Sequence, residues 1–328
     1  MKNQDSKRFA LFNFNKDGLG VKKEEAKLPY TFINFFKYFK RHFSKLLSVN
    51  IASVLGNFPL FFILPVLAGY FHNTSIGPID IRYPVISGVL AFNSDPTPFI
   101  PLLSTVGLFS HVSAWTTLDY VILSLSALTI FTFGPISAAT TYIIRNLIKG
   151  EPVFIWDDLK YSVKKNFRQS FIWGIFDIVI SGVLLYDLIF FFFNMNVDFI
   201  NSMFFYVSLV SLIIYIFMRY YIYIMMVTFD LSIFKLVKNA LIFSFLGFKR
   251  NIVALLGILT VLLINYVILG IIPALGIALP LVMSISICAY IAAYAAYPKI
   301  KEIMIDPYYK DEESDPENDT EVIMRDII

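Results

Sequence analysis

A single cysteine, Cys288, stands among 328 residues, so no disulfide can close within the chain and no multi-cysteine metal or cluster site can be built. Histidine is almost as scarce. His42, His72 and His111 fall in segments that hydropathy assigns to different sides of a membrane, where they cannot share a metal ion. Charge is thin too: 16% of residues are charged, against 57% hydrophobic and 17% aromatic. A soluble domain of this length needs a larger polar share to cover its surface. Catalytic motifs are missing as well, with no Gly-rich phosphate loop, no His-Glu-x-x-His and no Gly-x-Ser-x-Gly. Tyr186-Asp187 supplies half of an intramembrane aspartyl protease signature, but the matching Gly-x-Gly-Asp does not occur. These absences lead us to expect no enzymatic activity, no cofactor, no metal and no nucleic-acid partner. Residues 1–45 are polar and basic without a short apolar core and cleavage site, so no secretory signal peptide is expected.

What is present is long apolar sequence. Six segments reach the ~20 residues needed to cross ~30 Å of hydrocarbon; they run over 46–70, 118–143, 170–193, 201–228, 252–271 and 275–297. The last two are separated only by "GIIPALG" (270–276), which also admits one long broken hairpin. The expected fold class is all-α: a polytopic transmembrane helix bundle of about six spans with cytosolic interfacial amphipathic helices. Of the 27 Lys and Arg residues, all but Arg82 and Arg219 fall in segments that this span pattern puts on one face. The positive-inside rule makes that face cytosolic. We therefore expect a multi-pass membrane protein with both termini in the cytoplasm.

Three parts follow. Residues 1–45 form a cytosolic basic segment with an interfacial helix; 46–297 form the six-span domain; 298–328 form a cytosolic tail, largely disordered and acidic ("KDEESDPENDTE", 310–321). The spans are linked by an outer loop over 71–117, holding five prolines and an Asn73-Thr74-Ser75 glycosylation match best read as chance, and by cytosolic helices over 153–168 and 231–245. Within "IWDDLKYSVKKNF" (155–167), Trp156, Leu159, Val163 and Phe167 share one helical face, while Asp157, Asp158, Lys160, Lys164 and Lys165 project elsewhere. Such a helix suits the lipid headgroup region. It reads either as a surface-lying connector or as a docking helix, formed by Trp156, Asp157, Lys160, Lys164, Lys165 and Phe167. Lys40-Arg41-His42-Phe43, Lys164-Lys165-Asn166-Phe167 and Lys249-Arg250-Asn251-Ile252 each precede an odd-numbered span, the pattern of a threefold repeat or of ordinary flanking charge.

Polar residues within the spans come next. A charge at bilayer depth costs about 2.5–3.5 kcal/mol on insertion scales. Spans three and four are antiparallel neighbours, and Asp177 and Arg219 stand at similar heights in them, so an Asp177–Arg219 ion pair is expected, as a register-fixing bridge or as part of a relay. Asp187 lies nearer the outer end, within reach of headgroup water. Asn50 and Asn57, with Pro59 and Pro65, point to an interrupted first span. Ser284, Cys288, Ala292 and Ala296 recur every four residues in span six, the spacing of close helix packing or of a homo-oligomer contact.

The stretch "TFGPISAATTYIIRNLIKGEPVFIWDDLKYSVKKNFRQSF" (132–171) carries Gly134, Pro135, Ala138, Ala139, Tyr142, Arg145, Gly150, Glu151, Trp156, Asp157, Lys165 and Asn166. In this pattern it resembles the central region of the YesL-like family of bacterial integral membrane proteins, a domain of unknown function. "VTFDLSIFKLVKNALIF" (227–243), with Phe229, Asp230, Lys238 and Asn239, is similar to a second part of that family, and "AAYAAYPKIKEIMIDPYY" (292–309) looks like the end of a longer clostridial-type branch. The 71–117 loop departs from the short connection of typical members. Members are often encoded beside carbohydrate-importing ABC transporters and sugar-degrading enzymes. The resemblance therefore implies an accessory or scaffold role in that import, with the lipid bilayer and ABC permease or ATPase subunits as partners. It transfers no catalytic or ligand residue. The competing reading is a small transporter or channel, with Asn50, Asn57, Asp177 and Arg219 around a polar pathway.

Overall fold

The structure, a computed structural model, describes residues 29–78 and 109–307. The acidic stretch over 310–321, Arg82, residues 1–28 and most of the 71–117 loop lie outside them.

Helix α1 (Phe32–Gly56) starts at Thr31, whose hydroxyl accepts the Asn34 amide at 3.4 Å. No Gly or Pro occurs from Phe32 to Leu55, so the basic stretch ahead of span one and the first half of that span form one helix. At Asn57 it stops. Pro59 cannot donate to the preceding turn, and the chain runs through a 3-10 turn (Phe58–Phe62) into α2 (Ile63–Leu67), bent by 65° from α1. Strands β1 (Asn73–Pro78) and β2 (Phe109–Ala114) then pair antiparallel, from Asn73↔Ala114 to Pro78↔Phe109. This ribbon is the described part of the 71–117 loop and returns the chain beside its point of exit. A capping box between Thr116 and Asp119 opens α3 (Thr117–Ser126), and α4 (Thr129–Lys149) continues it to Gly150, whose φ of 77° closes the helix.

Helix α5 (Ile155–Asn194) is 40 residues long, about 60 Å. The sequence suggests a separate amphipathic helix over 153–168, and the structure corrects it: from Ile155 on, those residues are the first turns of α5. Nothing between Ile155 and Trp173 is Gly or Pro, so a change from polar to apolar composition does not interrupt the backbone ladder. Helix α6 (Phe199–Thr228) runs back antiparallel, its first turn capped by Asp198, which accepts the Asn201 amide at 2.7 Å. Aligned through Asp177 and Arg219, α6 ends opposite residue 168, and α5 overhangs it by roughly 20 Å.

The short helix α7 (Ile233–Leu246) does stand apart, close to the span expected for it. Gly247 separates it from α8 (Phe248–Ile271). Helix α9 (Pro273–Leu279), a π-helical turn (Pro280–Ser284), α10 (Ile285–Ile300) and a second π turn (Lys301–Ile305) form the last span. Residues 298–305, expected in a disordered tail, are therefore helical. By length and composition five helices can cross a membrane, and the bent α1–α2 pair makes six.

Buried apolar side chains concentrate at the end of the bundle that carries the basic residues. Leu46, Ile144, Leu147, Tyr221, Leu236 and Ile300 are at most 1% exposed there. The far end is looser and presents Phe193, Phe199 and Ile271 outward. Of α8, only Asn251 and Ala254 are fully buried, and much of the rest of its surface is exposed. Helices α4 and α5 meet closely at Gly134 and Gly174: a Cβ on Gly174 would stand 2.5 Å from the Gly134 Cα, and one on Gly134 would strike the Ser170 carbonyl.

Candidate functional site

Three polar constructions sit on this frame. The deepest surrounds Asp177, which is fully buried on α5. Arg219 Nε donates to its carboxylate at 3.0 Å, Tyr215 Oη at 2.5 Å and Tyr223 Oη at 2.8 Å, with Ser181 Oγ at 3.5 Å. Sequence reasoning named Asp177 and Arg219 and overlooked the tyrosines. Their signal is spacing: Tyr215, Arg219 and Tyr223 follow one another at four-residue steps, so one face of α6 presents three donors to one acid. A carboxylate offers about four lone-pair sites, and here four donors face them. The Arg219 guanidinium also stacks over Phe133 of α4, 5.8 Å from the ring centroid. Such an arrangement pins α5 to α6 and leaves the acid little capacity to bind anything else. Asp187 lies ten residues farther along α5 and is half-buried.

Asn50 serves the second construction. The π turn Pro280–Ser284 presents backbone carbonyls toward Asn50 on α1. Asn50 Nδ2 donates to two of them, Pro280 O at 3.0 Å and Leu281 O at 2.8 Å, while its Oδ1 accepts the Ser286 amide at 2.8 Å. Asn57 is engaged elsewhere, accepting from Thr132 Oγ1 at 3.1 Å. Ser284 exchanges hydrogen bonds with Asn265 at 2.9 and 3.1 Å. Ser284 and Ala296 are buried within the chain and Cys288 and Ala292 half-buried, so this small-residue face packs the bundle itself. Asn50, Asn57 and the Asp177 pair are thus held in separate hydrogen-bond sets.

The third construction is the basic end. The overhanging turns of α5 expose Trp156, Asp157, Lys160, Lys164, Lys165 and Phe167, with Trp156 and Phe167 each about half accessible. Leu159 turns inward against the core, so the apolar face read from spacing is split between buried and exposed neighbours. Behind Lys165, a cleft of about 860 Å³ opens between α5 and the link from α6 to α7, lined by Arg168, Gln169, Thr228, Asp230 and Ser232 among others. Gln169 Nε2 donates to Leu231 O across its edge at 2.5 Å. Below it Arg145, buried on α4, ties the end of α6: Nη1 donates to Val227 O at 2.6 Å and to Thr228 Oγ1 at 3.0 Å, and Nη2 to Asn146 Oδ1 at 2.8 Å. Tyr30, ahead of α1, packs among Tyr38, Tyr294 and Tyr297. Burial, then the neighbouring tyrosines, push its pKa well up, so it remains a neutral donor.

A family model described as a protein of unknown function, DUF624, matches residues 113–188, which cover α3, α4 and most of α5. The YesL-like name belongs to the same family. The 132–171 stretch lies inside the match and the 227–243 and 292–309 stretches outside it. No curated protein and no solved structure matches the chain. Gly134, Arg145, Gly174 and Asp177 fall within the matched part, whereas Tyr215, Arg219 and Tyr223 do not.

Proposed function

We propose that the chain is a non-enzymatic membrane accessory protein whose basic end faces the cytosol and docks a partner, with a carbohydrate-importing ABC permease or its ATPase as the partner class. One observation carries the reading. Helix α5 continues unbroken past the end of α6, so exposed Trp156, Lys160, Lys164 and Lys165 stand on a rigid rod rather than on a loose connector. Exposed aromatic and basic residues on a rigid element suit recognition of an acidic partner surface. The transporter reading has less support, because each intramembrane polar group named for it is occupied within its own hydrogen-bond set. The clostridial-type branch and the link to sugar import rest on the sequence resemblance alone.

The test is affinity purification in mild detergent with mass spectrometry, using the natural chain and the Lys160→Glu/Lys164→Glu/Lys165→Glu variant. We expect a permease or ATPase subunit to co-purify with the former and to fall at least tenfold in the latter. Equal recovery from both, or sugar or ion flux by the pure protein in liposomes, would overturn the reading.

A further inference from the structure

A second feature of the basic end does not involve α5. Helices α1, α8 and α10 leave a groove of about 950 Å³ between them, walled by Phe35, Phe36, Val253, Gly257, Val261 and Ile291 among others. Its wall makes almost no polar demand. Thr260 Oγ1 is spent on Leu256 O at 2.8 Å, and Asn265 and Ser284 satisfy each other at the upper end. At the lower end stand Lys249 and Arg250, in the first turn of α8. Arg250 uses one amine on Tyr30 O at 2.9 Å, and Lys249 is exposed. That turn contains no acidic residue and has no side-chain cap, so the positive end of the helix adds to both cations. Among the described residues, none lining the groove is acidic.

Along α8 the lining runs from Lys249 to Ile268, a rise of about 28 Å, long enough for a lipid headgroup and an extended acyl chain. Exposed Phe32 and Phe36 flank the mouth. A cationic end on a long apolar wall without acidic residues complements a molecule with an anionic head and a long chain.

We propose that this groove holds one anionic phospholipid of the leaflet at the basic end, its phosphate against Lys249 and Arg250 and an acyl chain along α8. The site stands on the groove and its charges, and it stays in place whether or not α5 docks a partner.

Native mass spectrometry of the full chain, exchanged into detergent with equal phosphatidylglycerol and phosphatidylcholine, reads this directly. The expected result is one retained phosphatidylglycerol, preferred over phosphatidylcholine about fivefold for each basic residue engaged. Lys249→Glu removes that preference. Val261→Trp, which fills the groove, lowers retention of both lipids, and circular dichroism checks that each variant keeps its helicity. Lys249 is exposed, so its replacement spares the core even if Val261→Trp unfolds. Equal retention of both lipids by the natural chain would mean a charge-blind lipid annulus and overturn the site. So would a Lys249→Glu variant that keeps the preference. A lipid-free dimer protected at the groove would assign it to a second copy, and would overturn the proposal as well.

Discussion

At the scale of single residues, the account rests on polar groups that are buried and fully engaged. Removing one partner from such a set costs more than the bond itself, because the other partner stays buried and unpaired. Arg219→Leu leaves the Asp177 carboxylate facing only hydroxyls, and we expect a loss of about 3–5 kcal/mol, read as a fall in melting temperature in detergent. Tyr215→Phe and Tyr223→Phe each remove one neutral donor and should cost about 1–3 kcal/mol in the same assay. A proton relay would give the opposite pattern, with stability kept and flux lost. Asn50→Leu removes the donor to the Pro280 and Leu281 carbonyls and the acceptor of the Ser286 amide, and should destabilise the last span by a comparable amount. The Asp177–Arg219 pair was legible because charges inside apolar runs are conspicuous. Tyr215 and Tyr223 were not, since tyrosine blends into a chain that is 17% aromatic. Asn50 was noticed as polar, but its task was hidden: the carbonyls it serves lie some 230 residues away.

At the scale of elements, helices follow backbone permission rather than hydropathy. Polar, lysine-rich sequence at 155–168 marks where the apolar run begins, and composition alone suggested a break in the helix there too. The absence of Gly and Pro up to Trp173 was the better guide. Spin labels at positions 157 and 187 should therefore report one narrow distance near 45 Å, the rise of 30 helical residues. A surface-lying connector with a bend would give a shorter and broader distribution. The interruption at Asn57 and Pro59 was readable for the same reason that α5's continuity should have been. Strands β1 and β2 were not: Gly77 and Pro78 sit in one of them, and the partner comes from 30 residues downstream. Close approach of α4 and α5 depends on Gly134 and Gly174, and Gly174→Leu should separate them, lowering the melting temperature more than Gly182→Leu, where open space awaits the side chain.

Across the whole molecule, the packing is asymmetric. The basic end holds the core, the Arg145 tie, the tyrosine cluster around Tyr30 and the overhang of α5, whereas the far halves of α5, α6 and α8 face outward with few buried side chains. The three basic motifs all lie at this end, on α1, α5 and α8, and in each the residue after the basic pair (His42, Asn166, Asn251) turns at least partly inward. That shared design explains why the sequence suggested a repeat. The places of the long apolar helices were readable from apolar length alone: five can cross a membrane, or six with the bent α1–α2 pair. The distribution of the core between the two ends was not, because it depends on which faces meet.

Docking of a cytosolic partner on α5 requires the basic end to face the cytosol. In a Cys288→Ala background, single cysteines at Lys164, Lys249 and Asn194 can be challenged in intact cells with a membrane-impermeant maleimide. Labelling of the Asn194 position alone, with the two lysine positions reacting only after lysis, is the expected result; labelling of Lys164 or Lys249 from outside the intact cell would contradict it.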